Sequence, residues 1–178
     1  TEDPTWVTPP SDLTVACDGS GNTTEFNNWL NNTFSGIDNC GSVTITTNST
    51  GLSDDCGATG AETVTFTLTD SNNNAITLDA TFTIEDTTDP TMDVAASDST
   101  VACDGSADAF TAWLADNGGA EASDGCSGVT WSNDSTGLSD TCGATGTETV
   151  IFTATDACGN FTTTTATFTT EDTTAPVI

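Results

Sequence analysis

The chain has 178 residues, of which 27 are Asp or Glu and none is Lys, Arg or His, so its net charge is −27. No side-chain salt bridge can form, and a folded state carries uncompensated self-repulsion. Nucleic acid is all but excluded as a partner and anionic membrane surfaces are disfavoured, because both are held through Lys and Arg; cations are the partners this composition favours.

Low hydrophobicity with high net charge ordinarily marks disorder. Eight Phe, four Trp and seven Cys, together with strict alternation in several segments, argue for a folded chain instead. No run reaches the roughly 18 apolar residues of a membrane span. The sequence starts and ends inside its own repeat pattern, so it reads as a window from a longer protein whose address signals lie elsewhere.

Repetition organises the chain. "TVACDGS" occurs at 14–20 and 100–106, "STGLSD" at 49–54 and 135–140, and "EDTTDP" at 85–90 returns as "EDTTAP" at 171–176, each 86 positions on. Two tandem domains are expected: residues 1–4 end a preceding linker, 5–86 form repeat 1, 87–90 are a linker, 91–172 form repeat 2, and 173–178 begin the next linker.

Taken in chain order, "EFNNWL" (25–30) places Phe26 and Trp29 at i, i+3 and predicts a helical turn or two. "VTITTN" (43–48) predicts a strand. "ETVTFTLTD" (62–70) sets Val64, Phe66 and Leu68 against four threonines. "ITLDATFTIED" (76–86) repeats the alternation, with "SNNN" as the hairpin turn between them. Period-2 patterning of this kind marks half-buried antiparallel strands. Repeat 2 follows the same order, with "AFTAWL" (109–114) helical and "VTWSND" (129–134) a strand; Trp131 and Phe161 are expected to pack inward. The predicted fold is all-β: tandem antiparallel Ig-like β-sandwich domains, each with a short helical insertion.

Seven cysteines without lysine point to an oxidising, extracellular setting. In repeat 2 a strand at about 147–155 separates Cys142 from Cys158 and spans on the order of 25–30 Å. A disulfide requires Cα atoms about 4.4–6.8 Å apart, so these two belong to opposite ends of the sandwich. The expected bonds are Cys126–Cys158 and Cys103–Cys142, and by equivalence Cys17–Cys56. Asn72 stands where the partner of Cys40 should be, which leaves Cys40 a free thiol. Neither His nor a CxxC pair is present, which argues against zinc.

The same topology gathers carboxylates. At the near end of repeat 2, Asp124 and Asp156 lie in turns, and the linker supplies Glu85, Asp86 and Asp89. At the front of repeat 1 the corresponding set is Asp3, Asp38 and Asp70. Crowded carboxylates with turn carbonyls form a hard-oxygen environment suited to Ca²⁺, so calcium is the expected cofactor. No EF-hand spacing is present. An enzyme is not expected: without His, Lys, Arg or Tyr, general acid–base and nucleophilic catalysis lose most of their usual groups.

At "TATDACGN…TFTTEDTTAPVI", with "SDGCSGVTW" upstream, the chain resembles the Ig-like (HYR-like) repeats of giant bacterial cell-surface proteins, in flavour the large repeat adhesins of gliding Bacteroidota. The resemblance covers both repeats. It implies extender or stalk modules of a long extracellular adhesin or filament at the cell surface, often with calcium at the joints, supporting adhesion or gliding motility. The implied partners are neighbouring repeats, other fibre subunits or surface glycans. It also implies O-glycosylation at Asp-Ser/Thr motifs, here Thr87, Ser99, Ser135 and Thr173. The alternative reading is a glycan- or surface-binding adhesive module.

Overall fold

The alternating threonine segments form the longest strands of each repeat. The computed structural model describes residues 2–104, 106–139 and 145–176, and the chain divides into two units, Thr1–Thr87 and Thr88–Ile178.

In the first unit the elements are β1 (Thr5–Thr8), β2 (Leu13–Ala16), α1 (Thr23–Leu30), β3 (Ser35–Ile37), β4 (Val43–Thr47), β5 (Gly60–Asp70) and β6 (Ala75–Glu85). β5 and β6 form an antiparallel hairpin that runs from Gly60↔Ile84 to Thr69↔Ala75. A four-stranded sheet in the order β2-β6-β5-β4 is built on it, and β1 pairs with β3 in a separate two-stranded sheet. The inward row of the hairpin, Val64, Phe66, Leu68, Ala80, Phe82 and Ile84, is buried. α1 lays Phe26 and Trp29 across this row, with ring centroids 5.3 Å from Phe82 and 5.5 Å from Phe66. Fully burying a side chain of this kind stabilises the fold by about 1.5–3 kcal/mol.

The outward row of β5 and β6 is mostly threonine, with Thr63 and Thr81 hydroxyls 2.9 Å apart across the hairpin. At Gly60 an added Cβ would sit 2.0 Å from the Ser53 carbonyl oxygen, and at Gly146 1.7 Å from that of Ser139. The duplicated "ATG" thus ends in glycine because another backbone crosses there.

The antiparallel pattern has one exception. β2 runs parallel to β6, in register from Leu13↔Phe82 to Ala16↔Glu85. β1 leaves the small sheet at Pro9 and Pro10, which cannot donate ladder hydrogen bonds, and the chain continues as an edge strand of the large sheet. Direction is not encoded in a four-residue alternation, so the sequence carried no sign of it.

The second unit repeats the plan with β7 (Thr91–Val94), β8 (Ser99–Ala102), α2 (Ser106–Ala115), β9 (Glu121–Ser123), β10 (Thr130–Asn133), β11 (Gly146–Thr155) and β12 (Phe161–Glu171). Its large sheet has the order β8-β12-β11-β10, β7 pairs with β9, and β8 is again parallel to β12. Trp113 lies 5.2 Å from Phe152, and Phe110 5.1 Å from Phe168. Relative to the cysteines, α2 lies two positions earlier than α1. The indole nevertheless returns to the same anchor: Trp29 Nε1 donates to the Ser11 carbonyl at 2.9 Å, and Trp113 Nε1 to that of Ser97 at 3.1 Å.

One expectation about the core is corrected. Phe161 does not pack inward; it is 58 % exposed. It pairs with Thr155 at the start of β12, on the outward row. Trp131 is half-buried and pairs with the buried Ala154, on the inward row.

Candidate cation-binding corner

Each long hairpin turns at an aspartate. In the first unit Asp70 Oδ1 accepts the backbone N–H of Asn72 at 2.7 Å and of Asn74 at 2.9 Å, and Asn74 Nδ2 donates to Oδ2 at 2.6 Å. In the second, Asp156 Oδ1 accepts Gly159 N–H at 2.6 Å and Asn160 N–H at 2.9 Å, and Asn160 Nδ2 donates to Oδ2 at 2.8 Å. Asp70 and Asp156 have almost no exposed surface, because the turn itself closes over them. Asn74's side chain, followed by its backbone N–H, holds the Asp70 carboxyl below the usual range against the opposing effect of burial. For Asp156 burial is the largest influence and acts upward, but the Asn160, Gly159 and Cys158 hydrogen bonds outweigh it and keep the carboxyl below the usual range. Both turns therefore present a negative charge that no cationic side chain neutralises.

In the second unit a second carboxylate stands beside the first. Asp124 Oδ1 accepts the backbone N–H groups of Cys126 and Ser127, each at 2.8 Å. Ser127 Oγ in turn accepts Ala157 N–H at 3.0 Å, which ties this loop to the hairpin turn. A carboxylate oxygen of Asp124 and one of Asp156 lie within 4.8 Å of each other. Cys126 and Cys158, on the same two loops, are both disulfide-bonded.

The first unit arranges its acids differently. Glu2, Asp3 and Asp38 line a cavity of about 170 Å³ with Thr5, Ile37 and Asn39. Asn39 Nδ2 donates to Glu2 Oε2 at 2.6 Å, and Asp38 Oδ1 accepts Cys40 N–H at 2.8 Å. Among the described residues, Asp3, Asp38 and Asp70 do not form a trio with oxygens within 4.8 Å of one another. Glu85 at the end of β6 and Asp89 in the linker are exposed, and Asp86 is half-buried.

Cys17 and Cys56 are also disulfide-bonded. Cys17 N–H donates to the Glu85 carbonyl just beyond Ile84, and Ile84 pairs with Gly60 four residues after Cys56. Cys40 is an exposed free thiol, and Cys103 is likewise free. The expected partner of Cys103, Cys142, lies outside the described residues, so a Cys103–Cys142 bond is not part of the described structure.

Of the candidate modification sites, Thr87 and Thr173 are exposed. Ser99 lies in β8 opposite Phe168, and the Ser135 hydroxyl donates to Glu148 Oε2 at 2.8 Å.

Two carboxylates were not singled out from the sequence. Glu62 Oε1 accepts from the Thr50 and Gly51 backbone N–H groups and the Thr50 hydroxyl, and Oε2 accepts from Ser49 Oγ at 2.7 Å. Glu148 repeats every contact with Ser135, Thr136 and Gly137. Burial pushes both carboxyls up, and these hydrogen bonds more than reverse it, holding both below the usual range. The signal was present: "STG" and a glutamate 11 residues after its glycine recur together.

No family model matches the sequence, and no curated protein matches it. Among solved structures, the chain is similar to Drosophila N-cadherin EC1-4, at 10 % identity and a TM-score of 0.37, covering 96 % of this chain and 50 % of that one. Mouse cadherin-23 EC22-24 is similar at 11 % identity and a TM-score of 0.36, covering 96 % of this chain and 67 % of that one. A protocadherin gamma B7 structure of extracellular cadherin domains 1-4 is similar at 11 % identity and a TM-score of 0.37, covering 94 % and 49 %. The chain thus spans about half to two thirds of the length of these structures.

Proposed function

We propose that the two units are extender repeats of a long extracellular cell-surface adhesin or filament, stiffened by calcium bound where consecutive repeats join. The observation that carries this reading is the Asp124–Asp156 pair: two carboxylate oxygens within 4.8 Å of each other, in a chain without Lys, Arg or His. A hard divalent cation with six to eight oxygen ligands is the counter-charge that such a pair accommodates. Both residues fit the role. Hydrogen bonds hold Asp156 in the charged form, two backbone N–H groups orient Asp124, and each carboxylate keeps lone pairs beyond those its turn uses. Glu85, Asp86 and Asp89 join the proposed ligand set by chain continuity. Glu2, Asp3, Asp38 and Asp70 are proposed for a preceding joint, where the 170 Å³ cavity gives three of them common access.

The work assigned to these repeats is mechanical and not catalytic. No helix among the described residues is long and apolar enough to cross a membrane. Disulfide-bonded cysteines fit an oxidising extracellular compartment, and the absence of Lys and Arg leaves no site for trypsin-like cleavage. Support of surface adhesion or gliding motility, association with other fibre subunits, and O-glycosylation at the exposed Thr87 and Thr173 belong to this same reading.

The experiment is calorimetry and small-angle scattering of the two-repeat chain with Ca²⁺ and with EGTA. Calcium at 100 times its Kd is expected to stabilise the binding form by about 2.7 kcal/mol and to narrow the distribution of interdomain bends. Identical melting and scattering in both conditions would reduce the protein to flexibly joined beads.

A further inference from the structure

In repeat 1 the second layer stops short of the edge of the large sheet. Thr47 pairs with the inward-facing, fully buried Phe66, yet Thr47 itself is exposed. The inner face of β4 is therefore uncovered at its end, and a cavity of about 370 Å³ opens there between β4 and the C-terminal end of α1. This lies within the roughly 300–1,000 Å³ of small-ligand sites. Its floor is apolar: Leu30, Phe34 and Ile45 are half-buried and packed on the core. Phe34 is set edge-on against Phe66, centroids 5.1 Å apart. The rim is polar and uncharged, made of Asn31, Asn32, Thr46 and Thr47, all exposed. Asn31 spends its Nδ2 on the Asn27 carbonyl, and Asn32 its Oδ1 on Thr33. Asn31 Oδ1, Asn32 Nδ2 and the Thr47 hydroxyl keep their hydrogen-bonding capacity, with no protein partner among the described residues, whereas the Thr46 side chain, paired with Thr67, belongs to the outward row.

We infer that this groove is a binding site for neutral sugar rings of an extracellular glycan. A chain of charge −27 repels anions, and a cation finds no carboxylate in the lining. What remains is a neutral ligand with an apolar face and an edge of mixed donors and acceptors. A pyranose has that form: its C–H face suits Phe34, Leu30 and Ile45, and its hydroxyls suit amides and hydroxyls that both give and accept hydrogen bonds. The site is particular to repeat 1. Counted 84 positions on, as the helices align, Asn31 and Asn32 become Ala115 and Asp116; counted 86 on, as the strands align, Phe34 and Ile45 become Ala120 and Trp131. Both amides are lost and a charge is gained.

The inference is independent of the calcium reading, and its test is run in EGTA as well as in Ca²⁺. Amide shifts of the ¹⁵N-labelled two-repeat chain are followed against neutral cello-, chito- and manno-oligosaccharides and against a sialylated one. Neutral sugars are expected to shift the amides of residues 30–34 and 45–47, equally with and without calcium, and the sialylated sugar to bind at least tenfold more weakly. Asn31→Ala with Asn32→Asp, the pair repeat 2 carries, should weaken binding at least tenfold with unchanged melting. Thr47→Glu, at an exposed position, should do the same. No shift with any neutral sugar, or binding that survives both variants, overturns the assignment. Shifts along β4 produced by an uncharged extended peptide and not by sugars would overturn it in favour of strand addition at that edge.

Discussion

The loop before β4 and the loop before β10 occupy the same place in the two repeats and are held by different means. In repeat 2 Cys126 and Cys158 are oxidised, Ser127 bridges to Ala157, and Asp124 stands beside Asp156. In repeat 1 the equivalent cysteine, Cys40, is a free thiol, Asn72 replaces its partner, and Asp38 opens onto a cavity with Glu2 and Asp3. The hairpin aspartates, their asparagine partners and the glutamate cradles are unchanged. The difference teaches that carboxylate placement within each turn is local, set by backbone N–H groups two to four residues away. The pairing of two carboxylates depends on how firmly two separate loops are held together.

Deleting part of one repeat's own core gives the largest expected effect and tells the two units apart. Phe152→Ala should cost repeat 2 about 3–5 kcal/mol and move only one of two unfolding transitions in calorimetry; a matched shift in both would mean that the repeats do not unfold separately. Next comes the loop itself. Cys126→Ala with Cys158→Ala should destabilise repeat 2 by about 2–4 kcal/mol, and Asn72→Cys should stabilise repeat 1 by a similar amount if Cys40 lies within bridging reach. Denaturation of each variant with and without reductant reads both effects.

Smaller again is Glu148→Gln, which weakens charge-assisted hydrogen bonds to Thr136 and Gly137 and should cost about 1–2 kcal/mol. Glu62→Gln should match it in repeat 1. Both carboxyls are lowered in the folded state, so the stability they contribute is fully present above the unfolded glutamate pKa of about 4.3 and is lost as the pH falls through their folded values. The wild type should therefore lose stability below about pH 4.3 more steeply than the double Gln variant. Parallel pH profiles would show that the cradles hold no charge-dependent energy.

Smallest in stability is Gly118→Ala. Gly118 has φ of 65°, and an added Cβ would lie 3.2 Å from Phe152 Cε2 and 3.1 Å from the Ala96 Cβ. A loss of about 1 kcal/mol is expected from the left-handed backbone alone. Repeat 1 has no glycine between α1 and β3, and there Phe34 packs on Phe66.

The sequence by itself determined the repeat, the two long hairpins and their inward rows, because a period of two is a property of the strand and needs no partner. It also placed Asp70 and Asp156 at turns, and Cys40 without a mate, since 86-residue equivalence exposes a missing cysteine as directly as a present one. Phe161 stands an odd number of positions before Ala166 and Phe168, so the same period of two already set it on the outward row, against the expectation that it packs inward. Tertiary structure alone decided the parallel edge strands, because four residues do not encode the direction of a neighbour. It set Glu62 and Glu148, both half-buried, in cradles of N–H and hydroxyl donors, and left the end of β4 uncovered over Phe34 and Ile45. Each of these depends on which segments meet in space, and a carboxylate or an apolar side chain acquires its role only from the groups that close around it.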